Sequence, residues 1–163
     1  MQKTILMIVA VALVGCGTTS VETPTSTSWV SDPKDPNNVI IEAEIRKAAK
    51  KPTGELTKAD FEKVTELILP RKDLTDVPGL ENLTQLTNLD LGFNQLTEVK
   101  GLENLTQLTK LHLSANKLTD VKGLEKLTKL TWLHFSYNQL TEVPKGLEKL
   151  TQLEELSFYQ NQL

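Results

Sequence analysis

The sequence is short of the residues on which most active sites and most compact cores depend. One cysteine, Cys16, occurs in 163 residues. A lone thiol excludes an internal disulfide and a cysteine-rich zinc site. Histidine occurs twice, as His112 and His134. Two ligands, with no cysteine and no convincing carboxylate beside them, are too few for a metal, so no metal and no other cofactor is expected. Aromatic residues make up 5% of the chain, which rules out a large aromatic core. The net charge is only −3, and no basic block is available to neutralise phosphates, which argues against nucleic acid as a partner. There is no glycine-rich phosphate loop, no paired-histidine zinc helix and no serine elbow. No catalytic residue can be named, and an enzyme is not expected.

What is present begins at the amino terminus. Lys3 supplies a positive charge, and residues 5–14 form an uncharged apolar run. A mature membrane span needs about 20 apolar residues, so this run has the length of a secretory signal instead. It ends in Leu13-Val14-Gly15-Cys16, which resembles the lipobox of bacterial lipoproteins. The resemblance implies cleavage before Cys16, thioether lipidation of its sulfur and acylation of the new amino terminus. Residues 1–15 are then a lipoprotein signal peptide, and the competing reading is an ordinary signal with an incidental cysteine. Each buried methylene of an acyl chain contributes about 0.8 kcal/mol, so several chains together anchor firmly. Gly17 follows the cysteine where, in enterobacteria, an aspartate favours inner-membrane retention. The expected location is the cell envelope, with the outer membrane favoured in a diderm host. Twelve of the twenty residues 17–36 are Thr, Ser or Pro. With Cys16 they form a tether, 16–36, too poor in apolar surface to offset its ordering entropy.

Residues 37–63 suit a helical cap. Val39, Ile40, Ala43, Ile45, Ala48 and Ala49 fit one short amphipathic helix, ended by Pro52-Thr53-Gly54. Thr57 and Asp60 have the spacing of a capping box for a second helix, with Leu56 and Phe61 as its hydrophobic staple.

Residues 64–163 then repeat, in about five units. One unit presents Val77, Leu80, Leu83, Leu86, Leu89, Leu91, Asn94 and Leu96, and 22 residues later come Val99, Leu102, Leu105, Leu108, Leu111, Leu113, Asn116 and Leu118. The same series continues to Asn138 and, after one extra residue at Pro144-Lys145, to Asn161. The pattern Leu-x-x-Leu-x-Leu-x-x-Asn-x-Leu resembles the leucine-rich-repeat family, and the 22-residue unit with its helical cap looks most like the internalin-type bacterial class. The resemblance implies an α/β solenoid. Its form is a right-handed horseshoe with short parallel strands on the concave face and helices capping the amino-terminal end. In the degenerate first unit, Lys72 stands where Asn is expected, which puts the Asn ladder in question at that end alone.

Leu-x-Leu is a strand signature with both leucines facing inward, and no single unit can bury its own leucines. The backs of the units have to return in few residues, as 3₁₀ turns or extended chain. Asn94, Asn116, Asn138 and Asn161 are expected to turn inward and satisfy backbone groups of the turn, a structural and not a binding ladder. Glu81, Glu103, Glu125 and Glu148 recur because the repeat recurs and read as a solvated face.

The inward positions hardly change between units, whereas the outward strand positions change freely. Phe93, His112, Trp132, His134, Tyr137 and Tyr159 gather at or beside them, which makes this face the expected recognition surface. The expected function is a lipid-anchored binding or adhesion module for a protein partner, with a glycan second. The competing reading is a truncated or structural envelope protein that self-associates through its carboxy-terminal edge, because Asn161-Gln162-Leu163 carries no evident cap.

Overall fold

The computed structural model describes residues 31–163. The lipobox, Cys16 and the tether as far as Val30 lie outside the described residues. Asp35 caps the first helix, α1 (Pro36–Ala48), through a bond from the Asn37 amide, and Arg46 and Lys47 place positive charge at its carboxy-terminal end. The buried stripe of α1 is Asn38, Ile41 and Ile45, continued by Ala49, at spacings of three and four residues. Val39, expected on that stripe, is 49% exposed. One residue is about 100° of helical rotation, enough to carry Val39 off the face that packs on β1.

Before the second helix, α2 (Lys58–Phe61), the Thr57 amide and hydroxyl both donate to Asp60, at 3.0 and 2.7 Å. Asp60 also pairs with Lys51 at 2.6 Å and Lys63 at 2.9 Å. Four donors onto one buried carboxylate weld the cap together and hold its pKa well below the usual carboxylate range, Lys51 being the largest cause.

Five three-residue strands follow: β1 (Glu66–Ile68), β2 (Asn88–Asp90), β3 (Lys110–His112), β4 (Trp132–His134) and β5 (Glu155–Ser157). They form one parallel sheet in chain order. Leu67, Leu89, Leu111, Leu133 and Leu156 are in direct register, and the extra residue of the last unit is absorbed before β5. The back of each unit is a 3₁₀ turn, at Leu80–Asn82, Leu102–Asn104, Leu124–Lys126 and Leu147–Lys149. A left-handed glycine precedes each turn. At Gly123, φ is +87° and an added Cβ would lie 2.8 Å from the Glu103 Cβ, so glycine is required both by conformation and by the stacking of one turn on the next. The leucine columns between sheet and turns are buried through the first four units and open at the fifth, where Leu147 and Leu153 are partly buried and Leu156 is 37% exposed. Phe135 takes one leucine place against Phe158 with ring centroids 5.9 Å apart.

The asparagines close each unit from within. Asn94, Asn116 and Asn138 are buried. Asn116 accepts from the Leu96 amide at 3.0 Å and donates to the Leu91 and Leu113 carbonyls at 3.0 and 3.1 Å. Asn138 and Asn161 repeat this on the Leu118 and Leu140 amides. Asn94 accepts two amides, from Lys72 and Leu74, at 3.0 and 3.1 Å. The ladder therefore extends into the first unit through the Lys72 backbone, which needs no asparagine side chain there.

Candidate functional site: the open face of the sheet

Because strand side chains alternate, a residue on each side of the buried leucine faces outward. On β2 to β5 the second outward residues are Asp90, His112, His134 and Ser157, directly in register. His112 Nδ1 lies 3.0 Å from Asp90 Oδ1, and a carboxylate can only accept, so Nδ1 carries the proton. The same Asp90 oxygen accepts from the Gly92 amide at 2.8 Å. Burial pushes the Asp90 pKa up, but the His112 and Gly92 hydrogen bonds outweigh it and leave it below the ordinary value. His134 Nε2 lies 2.7 Å from Glu155 Oε1. The expectation of no convincing carboxylate beside the histidines is thus corrected: each imidazole leans on one, supplied by the neighbouring strand. The two ring centroids stand 6.3 Å apart. Among the described residues no group of three or more His, Cys, Asp or Glu is placed to hold a metal ion.

The aromatic residues join this row. Trp132 stacks on His134 with centroids 3.6 Å apart and meets the His112 ring edge-on at 5.7 Å. Phe93 stands edge-on to His112 at 6.3 Å, and the Arg71 guanidinium lies over the Phe93 ring, 4.6 Å from its centroid. Tyr137 and Tyr159 meet edge-on at 5.1 Å. The six residues expected to form the recognition surface therefore lie on one face, as two groups: Phe93, His112, Trp132 and His134 in mutual contact, and the tyrosine pair beyond them.

Phe93 and Tyr137 occupy the place just before the ladder asparagine, and there the chain is left-handed in every unit. Its φ values are +57° at Arg71, +58° at Phe93, +56° at Ala115, +56° at Tyr137 and +55° at Gln160. A side chain in that conformation costs about 1–2 kcal/mol. It is held because the same residues bond in sequence across the units, Phe93 to the Ser114 carbonyl at 2.9 Å and Tyr137 to the Tyr159 carbonyl at 3.0 Å. Ala115 stands between the two rings and leaves a gap. The result is a depression of about 540 Å³ with Phe93, Tyr137 and Tyr159 on its walls, both histidines on one side, and a floor of serines. Ser136 and Ser157 bond to each other there at 2.7 Å.

Gly92 contributes to this face without having been singled out by sequence reasoning, and Arg71, Asp90 and Glu155, outward by their place in the repeat, were not expected to pair with its rings. A Cβ at Gly92 would lie 2.7 Å from His112 Cε1, so glycine makes room for the imidazole. A signal for Asp90 was present: it stands 22 residues before His112, hence beside it in register. Depressions of about 640 and 630 Å³ also run between successive loop ridges. They are larger, yet they recur with the repeat and are edged by exposed ion pairs such as Lys100–Glu98 and Lys122–Asp120. Such furrows follow from stacking any 22-residue units and carry no aromatic residue, so the sheet face is the stronger site. No helix among the described residues is long and apolar enough to cross a membrane.

Comparison with known proteins agrees with this architecture. A family profile of leucine-rich repeats in two copies matches residues 84–126, and a single leucine-rich repeat matches residues 129–150. No curated protein matches the chain. Among solved structures, the functional domain of InlJ from Listeria monocytogenes, described as including a cysteine ladder, is similar at 31% identity and a TM-score of 0.66, over 73% of this chain and 26% of that one. An internalin (inlF) from Listeria monocytogenes is 26% identical with a TM-score of 0.64, over 77% of this chain and 46% of that one. A leucine-rich-repeat protein of Leptospira interrogans is 31% identical with a TM-score of 0.59, over 61% of this chain and 26% of that one. The chain spans less than half the length of these three relatives. Its fold is the leucine-rich-repeat solenoid. Within that class, internalins are among its structural neighbours.

Proposed function

We propose that this chain is a non-enzymatic recognition module, held in the cell envelope by a lipid on Cys16, that binds a protein partner through the open face of its sheet. The observation that carries the reading is the set of aromatic and imidazole rings on one sheet face, from Phe93 to Tyr159 across four adjacent units, as a contacting group of four with a tyrosine pair beside it. Three of those rings are 47%, 53% and 59% exposed, at Phe93, Tyr137 and Tyr159, and the other exposed large apolar side chains of the repeats, Ile68, Val143, Leu156 and Leu163, are aliphatic and scattered from the first unit to the last. Exposed aromatics on a rigid frame anchor protein interfaces, because they bring much contact area while few backbone torsions are newly immobilised. A protein is favoured over a glycan because the depression is lined mostly by apolar surface, from Phe93, Ala115, Tyr137 and Tyr159, which suits an apolar side chain better than a sugar's hydroxyls.

The test is crosslinking capture from the native host with the parent and with a Trp132→Ala, Tyr137→Ala double variant. Loss of one buried aromatic anchor costs about 2 kcal/mol, or roughly thirtyfold in affinity. A protein captured by the parent and lost with the double variant supports the reading. Equal capture by both moves recognition to another surface.

A further inference from the structure

The chain contains two tyrosines, and they are Tyr137 and Tyr159. They do not occupy equivalent places in their units. Tyr137 immediately precedes its ladder asparagine, and Tyr159 stands two residues before Asn161. That offset brings their rings together across the strand exits, edge to face at 5.1 Å, with the Tyr137 amide bonded to the Tyr159 carbonyl at 3.0 Å. Both side chains are more than half exposed, so a reagent reaches them from solvent. The Tyr137 hydroxyl beside it holds the Tyr159 phenol above its ordinary pKa. No thiol occurs in residues 17–163, so a covalent tie between repeats cannot be a disulfide in this part of the chain.

We propose that Tyr137 and Tyr159 are a site of oxidative cross-linking, at which a haem peroxidase with hydrogen peroxide joins the two rings as dityrosine and ties the fourth repeat to the fifth. Each phenol gives up one electron and its hydroxyl proton to become a tyrosyl radical. The unpaired spin reaches the ring carbons beside the oxygen, and two such carbons form one C–C bond. Loss of a proton from each of those carbons, with reprotonation of each oxygen, restores both phenols. The balance is two C–H bonds broken and one C–C bond made, with two electrons and two protons passing to hydrogen peroxide to give two waters. The fold contributes proximity: two radicals held in contact couple within the molecule before they meet another chain. The proposal is independent of the partner-binding reading.

The experiment treats the full chain at micromolar concentration with a haem peroxidase and hydrogen peroxide. The expected product is a monomer lighter by two hydrogens, with dityrosine fluorescence and one cross-linked peptide pair containing positions 137 and 159. Tyr137→Phe and Tyr159→Phe each abolish the intramolecular product. Unfolding in urea before treatment lowers its yield roughly tenfold or more, because a flexible 22-residue separation no longer holds the rings together. Hydrogen exchange in the fifth unit slows in the cross-linked monomer. Dityrosine found only between chains, no dityrosine at all, or an intramolecular yield equal in folded and unfolded chain would each overturn the proposal.

Discussion

Replacing the ladder asparagines by alanine should rank them by the backbone groups each leaves unpaired. In Asn116→Ala the Leu96 amide loses its acceptor, whereas the Leu91 carbonyl keeps the Asn94 amide and the Leu113 carbonyl keeps the Asn138 amide. One buried N–H is orphaned, at about 1–3 kcal/mol, and two bonds to still-partnered carbonyls are lost at about 0.5–1 kcal/mol each. The expected cost is about 2–5 kcal/mol, a large share of the 5–15 kcal/mol typical of a domain. Asn94→Ala orphans two amides, Lys72 and Leu74, and removes a donor from the Leu69 carbonyl, so it should cost more. Asn161 is only half-buried, and the Phe135 carbonyl it serves also holds Asn138, so Asn161→Ala should cost least. Equilibrium urea unfolding followed by circular dichroism reads these differences, and for Asn116→Ala the midpoint should fall by about 1–2 M. Equal shifts for Asn94 and Asn161, or a shift for Asn116 too small to measure, would show that the amides are not what closes the units.

Gly123→Ala should cost about 1–3 kcal/mol in the same assay, because it combines a φ of +87° with a contact to Glu103. Gly92→Ala should instead leave stability within about 1 kcal/mol, its backbone being ordinary, yet push His112 off Asp90 and weaken partner capture. Unchanged His112 ring shifts by NMR would show that the contact is relieved some other way. The lowered pKa of Asp60 means that its contribution to stability is fully present above the ordinary carboxylate value, about 3.9, and is lost as pH falls through and below it. The helical signal of the cap should therefore weaken first on acidification, and Lys51→Met should reduce that pH dependence. Cys16→Ala should move the protein from the detergent phase to the soluble fraction, and intact-mass measurement of the parent should show acylation and loss of residues 1–15. A soluble, unacylated parent would remove the anchor.

The solenoid was legible because its leucines recur in one register and only stacking can bury them, as the columns through Leu67 to Leu156 show. The inward Asn of each unit was legible for the same reason. What was lost depended on fractions of a turn or on side-chain reach. Whether Val39 or Ile41 faces the core of α1 turns on a rotation that the apolar composition of both positions conceals. Phe93 and Tyr137 sit in a left-handed conformation that a non-glycine residue does not announce. Asp90 and His112 are opposite each other in register and could have been paired from spacing alone, whereas Glu155 faces Trp132 and reaches His134 only diagonally. The stacking of Trp132 on His134 likewise follows from rotamers and not from sequence separation.

Hydroxyl-radical footprinting of the chain, free and bound to the captured partner, bears most directly on the claim that the open sheet face is the recognition surface. Phe93, Trp132, Tyr137 and Tyr159 should be oxidised much more slowly in the complex, while exposed Val143, on the loop between the fourth and fifth strands, should react at its free rate. Protection of Val143 with the four aromatic side chains still oxidised as fast as in the free chain would contradict it.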